Sequence, residues 1–321
     1  MKFEAVKITK VLEQNFTHLM RDFYEMQTEY LASLNIIYDD LDASLVAMVL
    51  TNQLYKNTIE SNNSREKISF RNFYQKNNFN LPVAFFKIKE ISTILNLPRE
   101  TVRRKKEKLV KDKIILIDKK NKLYTLNSEK VDKKVLELQI HNLSKFLSKF
   151  SNYFTKNKFI VTDISRDQMK KDVDDKFLIY LTKFLDFQIS YFSNLKSIMD
   201  IESIFIVLLC NLNTLSAKEN VNEKPLSLKE TLFKLHKLNK ITGLNATSIS
   251  EITKIPRTTV LRKIANLEKD GILKKDQFKR YATDSLNNSA QGNKIFTAVE
   301  YNLKILGVFF SQCLETYSKS Y

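Results

Sequence analysis

The sequence predicts a mainly α fold made of two tandem copies of one helix–turn–helix–hairpin module. Long helices flank each copy, and the whole is expected to close on itself as an internal pseudo-dimer. Three observations predict this. Breakers are scarce: the 321 residues include four Gly and four Pro, so long helices are expected. Apolar residues recur at helical spacing through most of the chain. One motif is also written twice. Residues 91–114, ISTILNLPRETVRRKKEKLVKDKI, recur as residues 249–272, ISEITKIPRTTVLRKIANLEKDGI, at a constant offset of 158 with no gap, and 13 of the 24 positions are identical. A repeat of this length marks a repeated structural unit.

In chain order, residues 5–35 carry Phe16, Leu19, Phe23, Met26 and Tyr30 at helical spacing, and a second helix is expected over 42–57. The polar stretch 60–80 is expected as loop with some helix. The first module follows at 83–126: two helices, then strand, turn and strand, with 114–118 and 123–126 as the strands. A helix over 131–154 carries Val135, Leu138, Leu143, Phe146, Leu147 and Phe150 on one stripe. Residues 155–171 are polar and mixed, and are the expected connection between halves. The second half repeats the order. An aromatic helix at 174–195 holds Phe177, Tyr180, Phe184, Phe187 and Phe192. Residues 203–212 match 44–53 at offset 159 through Ser44/Ser203, Leu50/Leu209 and Asn52/Asn211. A polar loop at 218–224, the second module at 241–283 with a shorter hairpin (272–283), and a closing helix at 294–315 complete it. The expected domains are therefore 1–158 and 159–321.

Within each motif, Ile91, Ile94 and Leu97, or Ile249, Ile252 and Ile255, are spaced as the buried face of a short helix and its turn. Pro98 and Pro256 suit the first turn of the next helix, where no intrahelical donor is needed. Val102 and Leu109, like Val260 and Leu267, then face back onto the first helix. Glu100, Arg103, Arg104 and Lys111, or Thr258, Leu261, Arg262 and Lys269, are left on the outer face. Arg99 and Thr101, or Arg257 and Thr259, add to its N-terminal turn. From Arg99 to Lys111 seven residues are basic and two acidic; from Arg257 to Lys269 four are basic and one acidic. A helix that buries one stripe and projects Arg and Thr can enter a major groove, Arg reaching guanine edges and Thr reaching phosphate. The hairpins add Lys119, Lys120 and Lys122, then Lys274, Lys275, Lys279 and Arg280, placed to grip flanking phosphates or a minor groove.

These stretches resemble the recognition helix and first wing strand of bacterial winged helix-turn-helix regulators, with the MarR-like and IclR-like branches nearest. The resemblance covers 83–126 and 241–283; elsewhere it is architectural. It implies two winged helix-turn-helix domains, with flanking helices that form a dimer interface in the MarR-like plan. Two positions depart from the pattern. Lys113 stands where the second repeat and the family habit have Gly271, so a left-handed residue ending that helix would be strained. Lys106 occupies the core-facing position of Ile264, and so must snorkel or meet something acidic.

The net charge of +17 points to a polyanionic partner. Cys210 and Cys313 make no disulfide framework, which fits a reducing cytoplasm. The N-terminus is amphipathic rather than a signal peptide, and the longest apolar run, 204–210, is too short to span a bilayer. The four glycines are scattered, so no phosphate loop is formed. His18, His141 and His236 are isolated, and no Cys/His cluster has metal spacing. No catalysis, cofactor or metal is expected. The leading expectation is a sequence-specific double-stranded DNA-binding transcription regulator, cytoplasmic and nucleoid-associated, reading an imperfect repeat as a monomeric pseudo-dimer. Double-stranded DNA is the expected partner and RNA polymerase a candidate second one; no membrane is expected. The alternatives are a tandem winged-helix replication initiator and a protein-interaction scaffold. The aromatic N-terminal helix, with Phe16, Phe23 and Tyr30, is the expected place for any residual self-association.

Overall fold

The computed structural model describes residues 4–61, 68–70, 87–118, 120, 123–127, 130, 133–157, 164–216, 224–234, 243–284 and 290–318. They form thirteen helices and four short strands, so the chain is mainly helical as expected. In order these are α1 (Ala5–Gln14), α2 (Phe16–Tyr38), α3 (Leu41–Ser61), α4 (Ile88–Leu95), α5 (Arg99–Lys111), β1 (Ile115–Asp118), β2 (Leu123–Leu126), α6 (Lys133–Lys156) and α7 (Arg166–Asp175). There follow α8 (Phe177–Lys196), α9 (Ile201–Ser216), α10 (Leu228–Lys234), α11 (Ala246–Thr253), α12 (Arg257–Lys269), β3 (Leu273–Lys275), β4 (Tyr281–Thr283) and α13 (Ala290–Ser318). Most of the 60–80 and 218–224 stretches, and His236, lie outside the described residues.

Two compact units are present. One comprises Asp42–Ser193 with Phe309–Tyr321, the other Glu4–Leu41 with Asn194–Val308. These are not the sequence halves 1–158 and 159–321: each unit combines segments from both. The described residues of the stretch 155–171, expected as a connection, lie inside the first unit. There Ser165 caps α7 through a reciprocal pair, its Oγ accepting from Gln168 N–H and the Gln168 side chain accepting from Ser165 N–H, a standard way to satisfy free donors at a helix start.

The first unit has an aromatic core. Phe150 and Phe154 of α6 meet Phe310 of α13 at 5.7 and 5.2 Å between ring centroids, and Phe187 of α8 stacks on Phe309 at 4.8 Å. The stripe on α6 differs from its expected register at one end. Leu136 and Ile140 are buried while Leu138 is exposed, because a 3.6-residue period shifts the contact line along a long helix. A buried ion pair lies in the same core. Lys176 Nζ sits 3.0 Å from Asp172 Oδ1 and donates to Thr316 O at 2.5 Å, while Tyr180 donates its hydroxyl to Asp172 Oδ2 at 2.6 Å. A buried charge needs this density of partners. Burial, then the Asp172 carboxylate, pushes the Tyr180 phenol far above its ordinary range. Burial also lifts the thiols of Cys210 and Cys313 to about 12, so both are inert at neutral pH.

In the second unit α2 packs against α9, and Leu19, Phe23 and Leu31 of α2 and Phe205 and Leu209 of α9 are all buried. Gly307 lets α13 approach α1 closely: a Cβ there would lie within 3.1 Å of Ala5 O and closer still to Thr9 Oγ1. The residues expected to mediate self-association, Phe16, Phe23 and Tyr30, are buried in this unit. Its hydrophobic core uses that face, which leaves no apolar aromatic stripe there for a second copy.

The single helix expected over 5–35 is two, broken at Asn15 (φ −120°, ψ 36°). Lys176 breaks α7 from α8 with the same geometry (φ −117°, ψ 36°). Counting from the two breaks, Phe16, Phe23, Gln27 and Tyr30 match Phe177, Phe184, Gln188 and Tyr191. Gln27 and Gln188 are both fully buried, with amides that meet no hydrogen-bond partner among the described residues. The duplication thus extends through the flanking helices at residue level.

Candidate nucleic-acid interface

The second helix of each module starts and ends on the same backbone bonds, while the first helices end differently: Leu97 N–H donates to Ser92 O at 3.1 Å, whereas the matching Ile255 N–H donates to Thr253 Oγ1 at 3.3 Å. Helix α4 ends at Asn96 and α11 at Lys254, both in the left-handed region (φ 50° and 60°). Ser92 Oγ donates to Leu97 O at 2.6 Å, and Ser250 Oγ to Ile255 O at 2.7 Å. These bonds fix the turn into the second helix. Pro98 and Pro256 sit one position before the expected first turn, at the N-cap, where their carbonyls accept from Val102 N–H and Val260 N–H. The second helices end alike: Lys113 and Gly271 N–H bond to Val110 O and Glu268 O, while Ile114 and Ile272 N–H bond to Leu109 O and Leu267 O. This is the paired bond pattern of a helix ending on a left-handed residue. Lys113 has φ 56° and Gly271 φ 69°, as the sequence pattern anticipated.

The buried face of the first helix differs from expectation. Ile94 and Ile252 are 43% and 44% exposed, while Leu95 and Thr253 are completely buried beside Ile91 and Ile249. A short helix turns its contact line onto the i+4 position, and buried Thr253 satisfies its hydroxyl on Ile249 O at 2.7 Å. Each module also meets a flanking helix from the other sequence half. Ser193 of α8 donates to Ile94 O at 2.5 Å, and Asn35 of α2 donates to Thr253 O at 2.9 Å.

The outer faces of α5 and α12 are open. Val102, Leu109, Val260, Ile264 and Leu267 are buried. Arg99, Glu100, Arg103, Arg104, Arg257, Thr258 and Arg262 are exposed; Thr101 and Thr259 are half-buried. The charged groups are not equally available. Arg103 holds Glu100 in a two-pronged contact, Nη2 to Oε1 at 2.8 Å and Nε to Oε2 at 3.1 Å. The Arg103 hydrogen bond chiefly holds the Glu100 carboxyl below its usual range. Arg257 Nε reaches Thr247 Oγ1 at 3.4 Å. Lys263, counted with the basic face in the sequence, is 8% exposed and pairs with Asp200 at 2.6 Å and Glu202 at 3.1 Å. Its charge ties α12 to α9 rather than facing outward. Lys106 snorkels as expected, with its ammonium 4.9 Å from the Tyr124 ring centre on β2.

The hairpins follow. β1 pairs antiparallel with β2, Ile115 facing Leu126, and β3 pairs with β4, Leu273 facing Thr283. Lys119 and Lys122 lie outside the described residues; Lys120 is exposed, its N–H held by Asp118 Oδ1 at 2.9 Å. In the second hairpin Lys274 pairs with Asp284 at 3.3 Å and Lys275 lies 5.9 Å from the Tyr281 ring centre. Arg280 is bound by Asp276 through Nε and Nη2, both at 2.7 Å. Lys279 is exposed at the tip, with no ion pair among the described residues. Beside it Phe278 is 66% exposed. Sequence reasoning passed over this residue; the signal was an aromatic within a hairpin tip otherwise made of Lys, Asp, Gln and Arg.

Elsewhere, a cleft of about 710 Å³ in the first unit is lined by Phe70, Ile140, His141 and the mixed charges of Asp167, Lys170 and Asp174. Burial, then Arg166 and neighbouring lysines, holds the His141 imidazole below its ordinary pKa, so it is neutral at pH 7. Among the described residues no His, Cys, Asp or Glu cluster is arranged to hold a metal ion, and no single helix is long and apolar enough to cross a membrane. No family model, curated protein or solved structure matches the chain.

Proposed function

We propose that the two modules are winged helix-turn-helix heads, and that the chain is a sequence-specific regulator that reads duplex DNA with both. The observation that supports this most strongly is the repetition of one open, Arg- and Thr-bearing helix face over one set of buried contacts. A scaffold has no need to keep Arg99, Thr101 and Arg104 in register with Arg257, Thr259 and Arg262 on two exposed helices. In this reading α5 and α12 enter successive major grooves. Arg104 and Arg262 reach base edges, Arg99 and Arg257 meet base edges or adjoining phosphates, and Lys120 and Lys279 lie on flanking phosphates. Glu100 and Thr258 differ at one matching position and Arg103 and Leu261 at another, so the site is an imperfect repeat. One chain carries both heads and both sets of flanking helices, so a monomer fills the site.

Binding to duplex DNA across a salt series tests the reading. With about eight phosphates neutralised, log affinity should fall against log salt with a slope of about −7. Affinity that hardly changes between low and physiological salt would favour the scaffold. A genome-wide map of bound sites then separates two kinds of DNA-binding role. Imperfect inverted repeats at promoters fit regulation, in which RNA polymerase is the second partner; direct repeats beside an AT-rich segment fit replication initiation.

A further inference from the structure

The tip of the second hairpin is a small rigid platform under one exposed aromatic ring. Asp276 organises it. Its Oδ1 accepts from the N–H of Phe278 and of Arg280, both at 2.9 Å, and its Oδ2 binds the Arg280 guanidinium. Its own N–H donates to Arg280 O at 2.9 Å, and its carbonyl accepts from Lys279 N–H at 3.1 Å. Lys279 is held in the left-handed region at φ 57°. The Arg280 guanidinium lies 4.9 Å from the Phe278 ring centre, so the ring rests on a cation that Asp276 holds in place. In the strand rung next to the tip, Tyr281, which pairs with Lys275, exchanges two backbone bonds with Leu244, of 2.7 and 2.9 Å, which supports the tip from outside the hairpin.

A large aromatic exposed on a pre-ordered tip forgoes the stabilisation that burial of its apolar area would give, and the surroundings say what it meets. Residues 274–280 carry four cations, Lys274, Lys275, Lys279 and Arg280, against one acid, Asp276. A polyanion with a narrow apolar gap suits this combination. A base step is such a gap: an aromatic ring can enter from the minor groove and separate adjacent stacked pairs while neighbouring lysines hold the phosphates. A single ring offers too little area for a protein interface.

We propose that Phe278 is a wedge which the second hairpin inserts between two base pairs in the minor groove, kinking the duplex, with Lys279 and Lys275 on the flanking phosphates. This rests on the DNA-binding reading above and adds an asymmetry to it. Between the two strands of the first hairpin the sequence reads Lys119, Lys120, Asn121 and Lys122, without an aromatic, so only one side of the site is kinked. The kink makes a flexible pyrimidine–purine step favourable at a position that no side chain reads by hydrogen bonding.

The test uses the full chain, the Phe278→Ala variant and the Phe278→Trp variant. The probe is a 30-base-pair duplex recovered by the full chain from a random pool, labelled at its ends for energy transfer and with 2-aminopurine at successive steps on one side. The native chain should shorten the end-to-end distance and brighten 2-aminopurine at one step. Phe278→Ala should lose both signals and about tenfold in affinity, while Phe278→Trp keeps them. Phe278 is exposed, so thermal unfolding of the variants should match the native chain. If Phe278→Ala binds, bends and brightens the duplex like the native chain, the wedge is wrong and the DNA reading stands. If the native chain binds no duplex, both fall. If Phe278 instead governs binding to a single-stranded oligonucleotide or to anionic vesicles, with duplex affinity indifferent to it, the wedge is overturned in favour of that partner.

Discussion

At the end of its second helix the first module places Lys113 in the left-handed region, where the second places Gly271. At the face beneath, Lys106 leans over Tyr124 in the first module, where Ile264 is buried in the second. On the outer face Arg103 is engaged by Glu100 in the first; the second has Leu261 and Thr258 there. The backbone bonds that start and end the second helix are kept through all of this. The comparison shows which features the module requires and which it tolerates. Turn geometry, the Ser hydroxyl at the turn and the helix-ending bond pair recur in both. A core position, the helix-ending residue and the polar outer face have all changed. The first module is the less well adapted to its own fold and the more highly charged.

The largest expected effect comes from exchanging the core position. Ile264→Lys should cost roughly 3 kcal/mol, from lost burial and a charge forced into the core. Lys106→Ile should be neutral or stabilising by about 1 kcal/mol, since the site is only half-buried. Urea denaturation with unchanged m values checks both; equal costs in the two directions would erase the asymmetry. Next come the matching arginines. Arg104→Ala and Arg262→Ala should each cost roughly 1–3 kcal/mol of DNA affinity and relax preference at one base pair, whereas Lys120→Ala should weaken all sequences alike. Site selection with each variant reads this out, and unchanged selected sites would remove α5 and α12 from recognition.

A smaller effect is expected at the helix ends. Lys113→Gly should stabilise by about 1 kcal/mol and Gly271→Lys destabilise by about as much. Space does not limit the second exchange, because nothing lies within 4 Å of a Cβ built at Gly271; any cost therefore measures backbone strain. Smallest is a pH effect confined to the first module. The Arg103 hydrogen bond holds the Glu100 carboxyl below its ordinary range. The contact is therefore complete above the ordinary carboxylate pKa and is lost as pH falls through the depressed one. Protonation frees Arg103, so DNA affinity should rise on the acid side. Glu100→Gln should raise affinity at neutral pH by about threefold and flatten that rise. Persistence of the same acid-side rise in Glu100→Gln would place its origin elsewhere.

Helix content, the two modules and both irregular lysines were legible in the sequence, because each rests on local pattern. A constant 158-residue offset carries backbone geometry with it, and φ at Lys113 follows from the glycine in its twin. The misses were non-local. Lys263 looks outward by charge and is buried by Asp200 and Glu202, which lie some sixty residues away. Ile94 and Ile252 look inward by type, yet the helices turn Leu95 and Thr253 to the core. Phe278 carries no periodic signal, since a tip residue belongs to neither helical nor strand spacing. The two compact units combine segments of both sequence halves for the same reason. Repeats report which segments are alike, whereas packing decides which segments touch.

That grouping has a consequence in time. Glu4–Leu41 is packed with Asn194–Val308, so a segment that leaves the ribosome early belongs with segments not yet translated. At roughly 5–20 residues per second, the interval is on the order of ten seconds or more. Throughout it, Phe16, Phe23, Leu31 and their neighbours must stay unpaired or be held by a chaperone. Synthesis of this chain thus contains an obligatory waiting period, set by the length of the intervening sequence, before either unit can close.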